Sequence, residues 1–390
     1  MRFPEFSGEW KKCIIQDYGE VITGNTPPTN NAEYYNNGSY LWASPADLGT
    51  GKKINDTKTK LSESGFKKTR IIPKGSILVT CIGSTIGKMG MAVETMSSNQ
   101  QINSIIVNEK SNNDFVYYAI SRAFPRYLSE VGVQAVPILS KSNFEKLPNY
   151  TTSIEEQDKT GYFLNLLDER IATQNKIIDK LQSLIRGIND SLYAQYGNEV
   201  KTSFANLGSS YSGLSGKSAQ DFGSGKPFIT YLNVYSNNVI NEKDFQFVAI
   251  RDNEKQNVVE YGDVLFTLSS ETPEEVGIGS VYLGKEKVYL NSFCFGIHIT
   301  NTEVVYSPYL SYYVSSTPFR KFIYPYAQGS TRFNLCKADF EKASIKLPSL
   351  ENQKRIYSIL SHIESKTETE KSLLDLYNSQ KQYLLRQMLI

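Results

Sequence analysis

Two hydrophobic periods alternate along the chain. Over residues 164–192, Leu164, Leu167, Ile171, Ile178, Leu181, Ile185, Ile188 and Leu192 recur at spacings of three and four, with Gln174 as the one polar rung. That is the period of a helix that lays a seam against another helix. Residues 1–150 and 200–347 follow a different rule. Short runs rich in Val, Ile, Tyr, Phe and Thr are broken by Gly, Asn and Pro, as in Gly75-Ser76-Ile77-Leu78-Val79-Thr80 and Gly262-Asp263-Val264-Leu265-Phe266-Thr267. Such runs predict strands joined by turns. One helix is predicted to interrupt each set, over 114–122 with Asn113 or Asp114 as N-cap, and over 308–315.

This order occurs twice. Phe144-Glu145-Lys146 returns as Phe340-Glu341-Lys342, and Ile154-Glu155-Glu156-Gln157 as Leu350-Glu351-Asn352-Gln353, both displaced by 196 residues. A displacement that long marks a duplicated domain, not a solenoid repeat. The same shift carries the helical ladder onto Leu360, Ile363, Thr367, Glu370, Leu374, Tyr377, Lys381, Leu384 and Met388, in the same register. Gln174 falls on Glu370, and a polar seam residue fixes register at some cost in stability. The predicted boundaries are 1–153, 154–197, 198–349 and 350–390, and each ladder spans roughly 40 Å at helical rise.

Composition narrows the function. The 390 residues include 26 Tyr and 19 Phe, a bias that suits strands and binding surfaces. Met1-Arg2-Phe3-Pro4-Glu5 carries no leader-like apolar core, which predicts a soluble, cytoplasmic protein away from membranes. The four cysteines, Cys13, Cys81, Cys294 and Cys336, form no C-x-x-C pair, and His298 and His362 are the only histidines. Zinc fingers are excluded, and little remains for a metal site or a Cys-His pair. Net charge is +2, and residues 1–150 carry 17 Lys and Arg against 13 Asp and Glu. Electrostatics alone therefore does not mark a nucleic-acid binder. Lys52, Lys53, Lys58, Lys60, Lys67, Lys68 and Arg70 nevertheless cluster, as a local basic face or a solvated loop.

Two motifs invite an enzymatic reading and fail it. Cys81-Ile82-Gly83-Ser84-Thr85-Ile86-Gly87-Lys88-Met89 has three residues between its glycines where a P-loop has four, Met89 where magnesium needs a hydroxyl, and a strand pattern where a helix should begin. Asn25-Thr26-Pro27-Pro28-Thr29 approaches the [NDS]-P-P-[YFW] motif of amino-methyltransferases, but threonine splits it and Thr29 replaces the stacking aromatic. No base–nucleophile pair stands elsewhere, so the chain is expected not to be an enzyme.

Phe6-Ser7-Gly8-Glu9-Trp10, Val21-Ile22-Thr23-Gly24-Asn25-Thr26-Pro27, Leu41-Trp42-Ala43-Ser44-Pro45, Gly83-Ser84-Thr85-Ile86-Gly87-Lys88, Gly213-Leu214-Ser215-Gly216-Lys217-Ser218 and the two Glu-x-Gln helix openings follow one another in a set order. By these pieces and the duplication, the sequence resembles the specificity subunit of type I restriction-modification systems over nearly its full length. The resemblance implies an α+β fold in which two mixed α/β target recognition domains are separated by two long antiparallel coiled-coil helices in a pseudo-two-fold arrangement. Each domain is then expected to read one half of a bipartite, asymmetric site in double-stranded DNA, with the helices as a ruler. Methyltransferase subunits, two in number, would dock on the helices, and restriction/translocase subunits would join the assembled complex. No cofactor is expected on this chain, because S-adenosylmethionine and ATP belong to the partners. A coiled-coil scaffold with β-rich domains that bind something other than DNA is the competing reading.

Under the resemblance, the glycine-bracketed loop is a hairpin tip facing DNA. Gly83 and Gly87 would let backbone approach closely, Ser84 and Thr85 would offer short polar contacts, and Lys88 would reach a phosphate or a guanine edge. Asn99, Gln100, Gln101 and Gln134 are amides suited to adenine. In the second copy the candidates are Ser215, Lys217, Lys226, Ser330 and Arg332, and Leu268-Ser269-Ser270-Glu271-Thr272-Pro273-Glu274-Glu275 replaces the basic turn with an acidic one. There Glu271 either accepts from a cytosine amino group or the loop stays off DNA. The seam candidates are Leu164, Leu167, Ile171, Ile178, Leu181 and Ile185 on the first helix, with Leu360, Ile363, Leu374, Tyr377 and Leu384 on the second.

Overall fold

The computed structural model describes residues 1–130 and 137–389. It divides into two compact units, unit 1 comprising Met1–Lys176 with Ser372–Ile390, and unit 2 comprising Ile177–Lys371.

Unit 1 is built on a five-stranded sheet in the order Gly19–Thr23, Ile102–Val107, Ile77–Thr80, Met89–Ala92, Lys53–Ile54. Its pairs are antiparallel except the last. The run Ile77-Leu78-Val79 is fully buried because both faces of its strand are covered. Ile77 and Val79 pack with Phe115, Ile120 and Tyr127 of the helix Asn113–Glu130, while Leu78 packs with Leu41, Ile54 and Met96. Each such side chain contributes about 1.5–3 kcal/mol on burial. A three-stranded sheet, Thr59–Leu61, Tyr40–Ala43, Ser97–Ser98, lies in the same unit.

Unit 2 repeats the plan. A four-stranded sheet runs Gly208–Ser212, Cys294–Ile299, Val264–Thr267, Gly279–Val281. Val264 and Phe266 face the aromatic cluster of Phe204, Phe295, Tyr309, Phe319 and Phe340, while Leu265 faces Ile229, Val259 and Tyr282. The companion sheet is Gln246–Val248, Phe222–Ile229, Tyr289–Leu290, and its last pair is parallel, as is Tyr40–Ala43 with Ser97–Ser98 in unit 1. Unit 2 adds a further three-stranded sheet, Ser269–Ser270, Phe333–Leu335, Ala327–Gln328.

The interrupting helices differ in detail from the sequence reading. Asn113–Glu130 continues through Pro125, and its cap is Asn112, whose Oδ1 accepts from the Phe115 N–H at 2.9 Å. In unit 2 the region is broken into Ser307–Tyr313 and Thr317–Ile323, the second reopened by Pro318 and capped by Ser316.

The long helices span Ile154–Tyr196 and Leu350–Met388. At helical rise they measure roughly 65 and 58 Å, longer than the ladders because their first turns precede the apolar repeat. Those turns are fastened alike. Gln157 Oε1 accepts from the Asn112 N–H at 3.0 Å, and its Nε2 donates to the Thr152 carbonyl at 2.8 Å. Gln353 accepts from the Tyr306 N–H and donates to the Pro348 carbonyl, both at 2.8 Å. About three turns further along, the Tyr118 hydroxyl donates to Asp168 at 2.7 Å and the Tyr312 hydroxyl to Glu364 at 2.5 Å.

Within unit 1 the two helices run antiparallel, with Lys381 on Asp168 at 2.5 Å and Arg170 donating to the Tyr377 hydroxyl at 3.0 Å. Leu164 is buried in one cluster with Leu384, Leu385 and Met388, and Leu167 packs against it. Within unit 2, Ile185, Ile188 and Leu192 pack on the cluster that holds Ile356 and Leu360. Ile178 is buried, and Ile171, Leu181, Ile363 and Leu374 are half-buried, while Thr173, Lys180 and Arg186 on the opposite face are exposed. The polar rungs Gln174, Thr367 and Glu370 are buried too. Among the described residues no helix is long and apolar enough to cross a membrane.

Candidate nucleic-acid interface

In each unit three distant segments meet at one corner of the central sheet, and the same backbone bonds hold them. In unit 1 the Cys81 N–H donates to the Gln101 carbonyl at 2.7 Å, and the Leu139 N–H donates to the Cys81 carbonyl at 2.8 Å. In unit 2 the Leu268 N–H donates to Phe293 at 2.9 Å, and the Leu335 N–H donates to Leu268 at 2.8 Å. The turn that delivers the middle segment is also common. Asn99 Oδ1 accepts from the Gln101 N–H at 3.0 Å, and Asn291 Oδ1 from the Phe293 N–H at 2.9 Å. Such Asx turns let a short amide replace a backbone partner and fix the direction of the next residues.

The loop after Thr80 is a compact double turn. The Ile86 N–H bonds to Gly83, the Lys88 N–H to Thr85 and the Gly87 N–H to Thr80, at 3.1, 3.1 and 2.9 Å. Gly83 and Gly87 have φ of 99° and 90°, which favours glycine at both. The expectation that both serve close approach to DNA is corrected for Gly87. A Cβ there would sit 2.7 Å from the Phe124 ring, so this glycine exists to seat the loop on the helix beneath. At Gly83 a Cβ would meet only Gln101, at 3.6 Å. Ser84 and Lys88 are exposed and Thr85 is half-buried. The stem of Lys88 lies over Gly49 and leaves its ammonium at the surface.

The remaining amides divide. Gln100 is exposed and accepts from the Thr26 hydroxyl. Gln101 is half-buried, with Nε2 3.5 Å from the Ile82 carbonyl. Asn99 is 8% exposed and its amide is committed to Gln101, so it builds the turn instead of reading a base. Gln134 lies outside the described residues.

In unit 2, Ser330 and Arg332 are exposed at the corner, and Arg332 Nη2 donates to Ser269 Oγ at 3.2 Å. Ser215 and Lys226 are exposed on other segments; the Ser215 backbone is bonded in both directions to the Gln256 amide. Lys217 is corrected. Its side chain is 6% exposed and its ammonium is bonded to the Ala249 carbonyl at 2.6 Å and Glu254 at 2.5 Å, so it braces a loop from inside. The acidic loop is likewise held by the protein itself. Arg320 donates to the carbonyls of Glu274, Val276 and Gly277, and hydroxyls of Tyr235 and Ser270 hold the Glu275 carboxyl below its usual range. Glu271 stays exposed.

The basic cluster is neutralised only in part, and Lys58, Lys68 and Arg70 stay exposed. Lys52 is buried against Asp114 at 2.5 Å, Lys60 pairs with Asp56, Lys67 pairs with Glu63, and Arg70 donates to the Thr23 carbonyl. Burial pushes the Cys81 thiol up to about 12 and raises Cys294 as well, away from the thiolate form that nucleophiles use. What sequence reasoning missed is Phe293, 56% exposed at the unit 2 corner. Its signal is Asn291-x-Phe293-Cys294 against Asn99-x-Gln101-Ile102, displaced by 192 residues instead of 196.

The type I restriction modification DNA specificity domain family matches residues 7–183 and again 215–376. The type I restriction enzyme MjaIX specificity subunit of Methanocaldococcus jannaschii is 30% identical over 182 residues, covering 44% of this chain and 42% of that protein. The HindI specificity subunit of Haemophilus influenzae is 32% identical over 186 residues, covering 45% and 40%. The matched stretch thus spans less than half the length of either relative. Among solved structures, the S subunit of a type I restriction-modification system from M. genitalium aligns over 98% of this chain and 96% of that one, with a TM-score of 0.58 at 15% identity. A chain from work on complex assembly and conformational transition of the type I R-M system gives 0.60 at 15% identity, over 97% and 96%. At these identities the structural likeness is one of fold. With the family's pattern matched twice across most of its length, on two units of one architecture, this chain belongs to the type I restriction-modification DNA specificity family.

Proposed function

We propose that this chain is the non-catalytic specificity subunit of a type I restriction-modification complex, in which units 1 and 2 each read one half of a bipartite, asymmetric DNA site. The long helices set the gap between the halves and dock two methyltransferase subunits. S-adenosylmethionine and ATP bind to partner subunits, the restriction subunits join through the assembled complex, and the complex works in the cytoplasm. One observation carries the reading: the same three-segment corner is built twice, with the same backbone bonds and different side chains. A fixed frame carrying Ser84, Lys88 and Gln101 in one unit and Phe293, Ser330 and Arg332 in the other is what two different half-sites require, since phosphate contacts position a protein and base contacts specify. The names of the relatives point the same way.

The test is selection from random duplexes by the chain assembled with its methyltransferase partner. Enrichment of a two-part motif with a fixed gap is the expected result, and enrichment of no motif rejects the proposal. Lys88→Glu should weaken binding and reduce the slope of log affinity against log salt by about one contact, without loss of assembly. An unchanged salt slope would remove the loop from the interface.

A further inference from the structure

The unit 2 corner holds an arginine and an exposed aromatic ring as one object. The Arg332 guanidinium lies 6.0 Å from the centre of the Phe293 ring, and its Nη2 is tied to Ser269 Oγ at 3.2 Å. Three independent restraints fix the pair: the Asn291 turn aims Phe293, the Phe293 carbonyl accepts from Leu268, and Leu335, three residues beyond Arg332, donates to Leu268. Gly329, at φ 143°, would place a Cβ 2.1 Å from the Arg332 carbonyl, so glycine is needed where the turn between Ala327–Gln328 and Phe333–Leu335 brings its two ends together. Among the described residues no carboxylate lies within ion-pair distance of Arg332. A guanidinium with one donor anchored and the rest of its fork open, beside a ring that is 56% exposed, is therefore held ready for a partner from outside.

From this geometry we infer that Phe293 and Arg332 form the base-reading pair of unit 2, and that they take a guanine next to a thymine in the major groove. The inference rests on the DNA-reading function proposed above. Arginine meets guanine O6 and N7 with two parallel N–H donors, and phenylalanine is an apolar partner for the thymine 5-methyl group. Their contact through the ring face keeps the two probes side by side, as adjacent bases are. In unit 1 the corresponding turn position is Gln101, whose amide suits adenine, so the two corners differ in chemistry while sharing a frame.

The experiment uses the full chain assembled with its methyltransferase partner. Wild-type, Arg332→Ala, Phe293→Ala and Gln101→Ala assemblies are each used to select from random duplexes, and binding is then measured on the selected site with thymine or uracil at the position beside the guanine. Arg332→Ala is expected to lose guanine preference in one half-site by about 5- to 150-fold and leave the other half intact. Uracil is expected to weaken wild-type binding about 4-fold, the worth of one buried methyl, and to make no difference to Phe293→Ala. Gln101→Ala should alter only the opposite half. A wild-type motif with no guanine–thymine step in the half affected by Arg332→Ala overturns the inference, as does indifference of the wild type to uracil, which requires no protein variant at all. If the wild type selects no motif, the DNA-reading function itself fails, and the inference falls with it.

Discussion

At the residue scale, side chains of one chemical type separate by what surrounds them. Gly83 and Gly87 both occupy the left-handed region, yet only Gly87 faces a ring at 2.7 Å. Alanine at either position should cost about 1 kcal/mol in backbone strain, and at Gly87 overlap with Phe124 should raise the total to about 2–3 kcal/mol. Urea unfolding of the two variants measures the difference, and equal costs would refute the packing role of Phe124. Lysines divide in the same manner. Lys217 and neighbouring amides hold the Glu254 carboxyl at about 2 against its ordinary 4.5. A carboxyl depressed in the folded state lends stability that is complete above its ordinary value and is lost as pH falls from about 4.5 towards 2. Lys217→Met should therefore flatten the pH dependence of unfolding in that window, and it should leave DNA affinity within twofold at neutral pH. A large loss of affinity with an unchanged pH profile would restore Lys217 to the interface. Sequence could not sort these cases, because burial of Lys217 depends on Ala249 and Glu254, residues that pattern alone does not bring near.

At the scale of elements, the long helices and the sheet strands were legible, and their fastenings were not. A period of 3.5 and runs such as Ile77-Leu78-Val79 record which face of an element is covered, so they survive in the residues themselves. The Glu-x-Gln openings were also visible at a displacement of 196 residues, but their purpose was hidden, because Gln157 and Gln353 bond to Asn112 and Tyr306, which are displaced by 194. Small insertions between the anchors had erased the alignment, as they had for Gln101 and Phe293. Both glutamines are almost fully buried, so replacing either strands a buried N–H and carbonyl at about 1–3 kcal/mol. Gln157→Leu should lower the hydrogen-exchange protection of residues 154–160 and leave 350–356 unchanged, and Gln353→Leu should do the reverse. Loss of protection at both helix starts in either variant would mean that the clamps are not local.

For the molecule as a whole, each long helix begins in one unit and ends in the other, so its length is the quantity that the two halves of a DNA site would share. Removing 172–178 together with 368–374 takes one heptad from each helix at positions related by the repeat, which keeps every remaining rung in phase with its seam. Seven residues of helix are about 10 Å, or about 3 base pairs of duplex. The shortened chain, assembled with its partner, should select the same two half-sites with a gap about 3 base pairs shorter. Its affinity should be lower, because 3 base pairs also turn one half-site by roughly 100° about the duplex axis, and the DNA must twist to present both. Half-sites retained at the original gap with full affinity would show that the helices do not set the distance. Altered half-sites would show that the corners do not read independently of the helices that carry them.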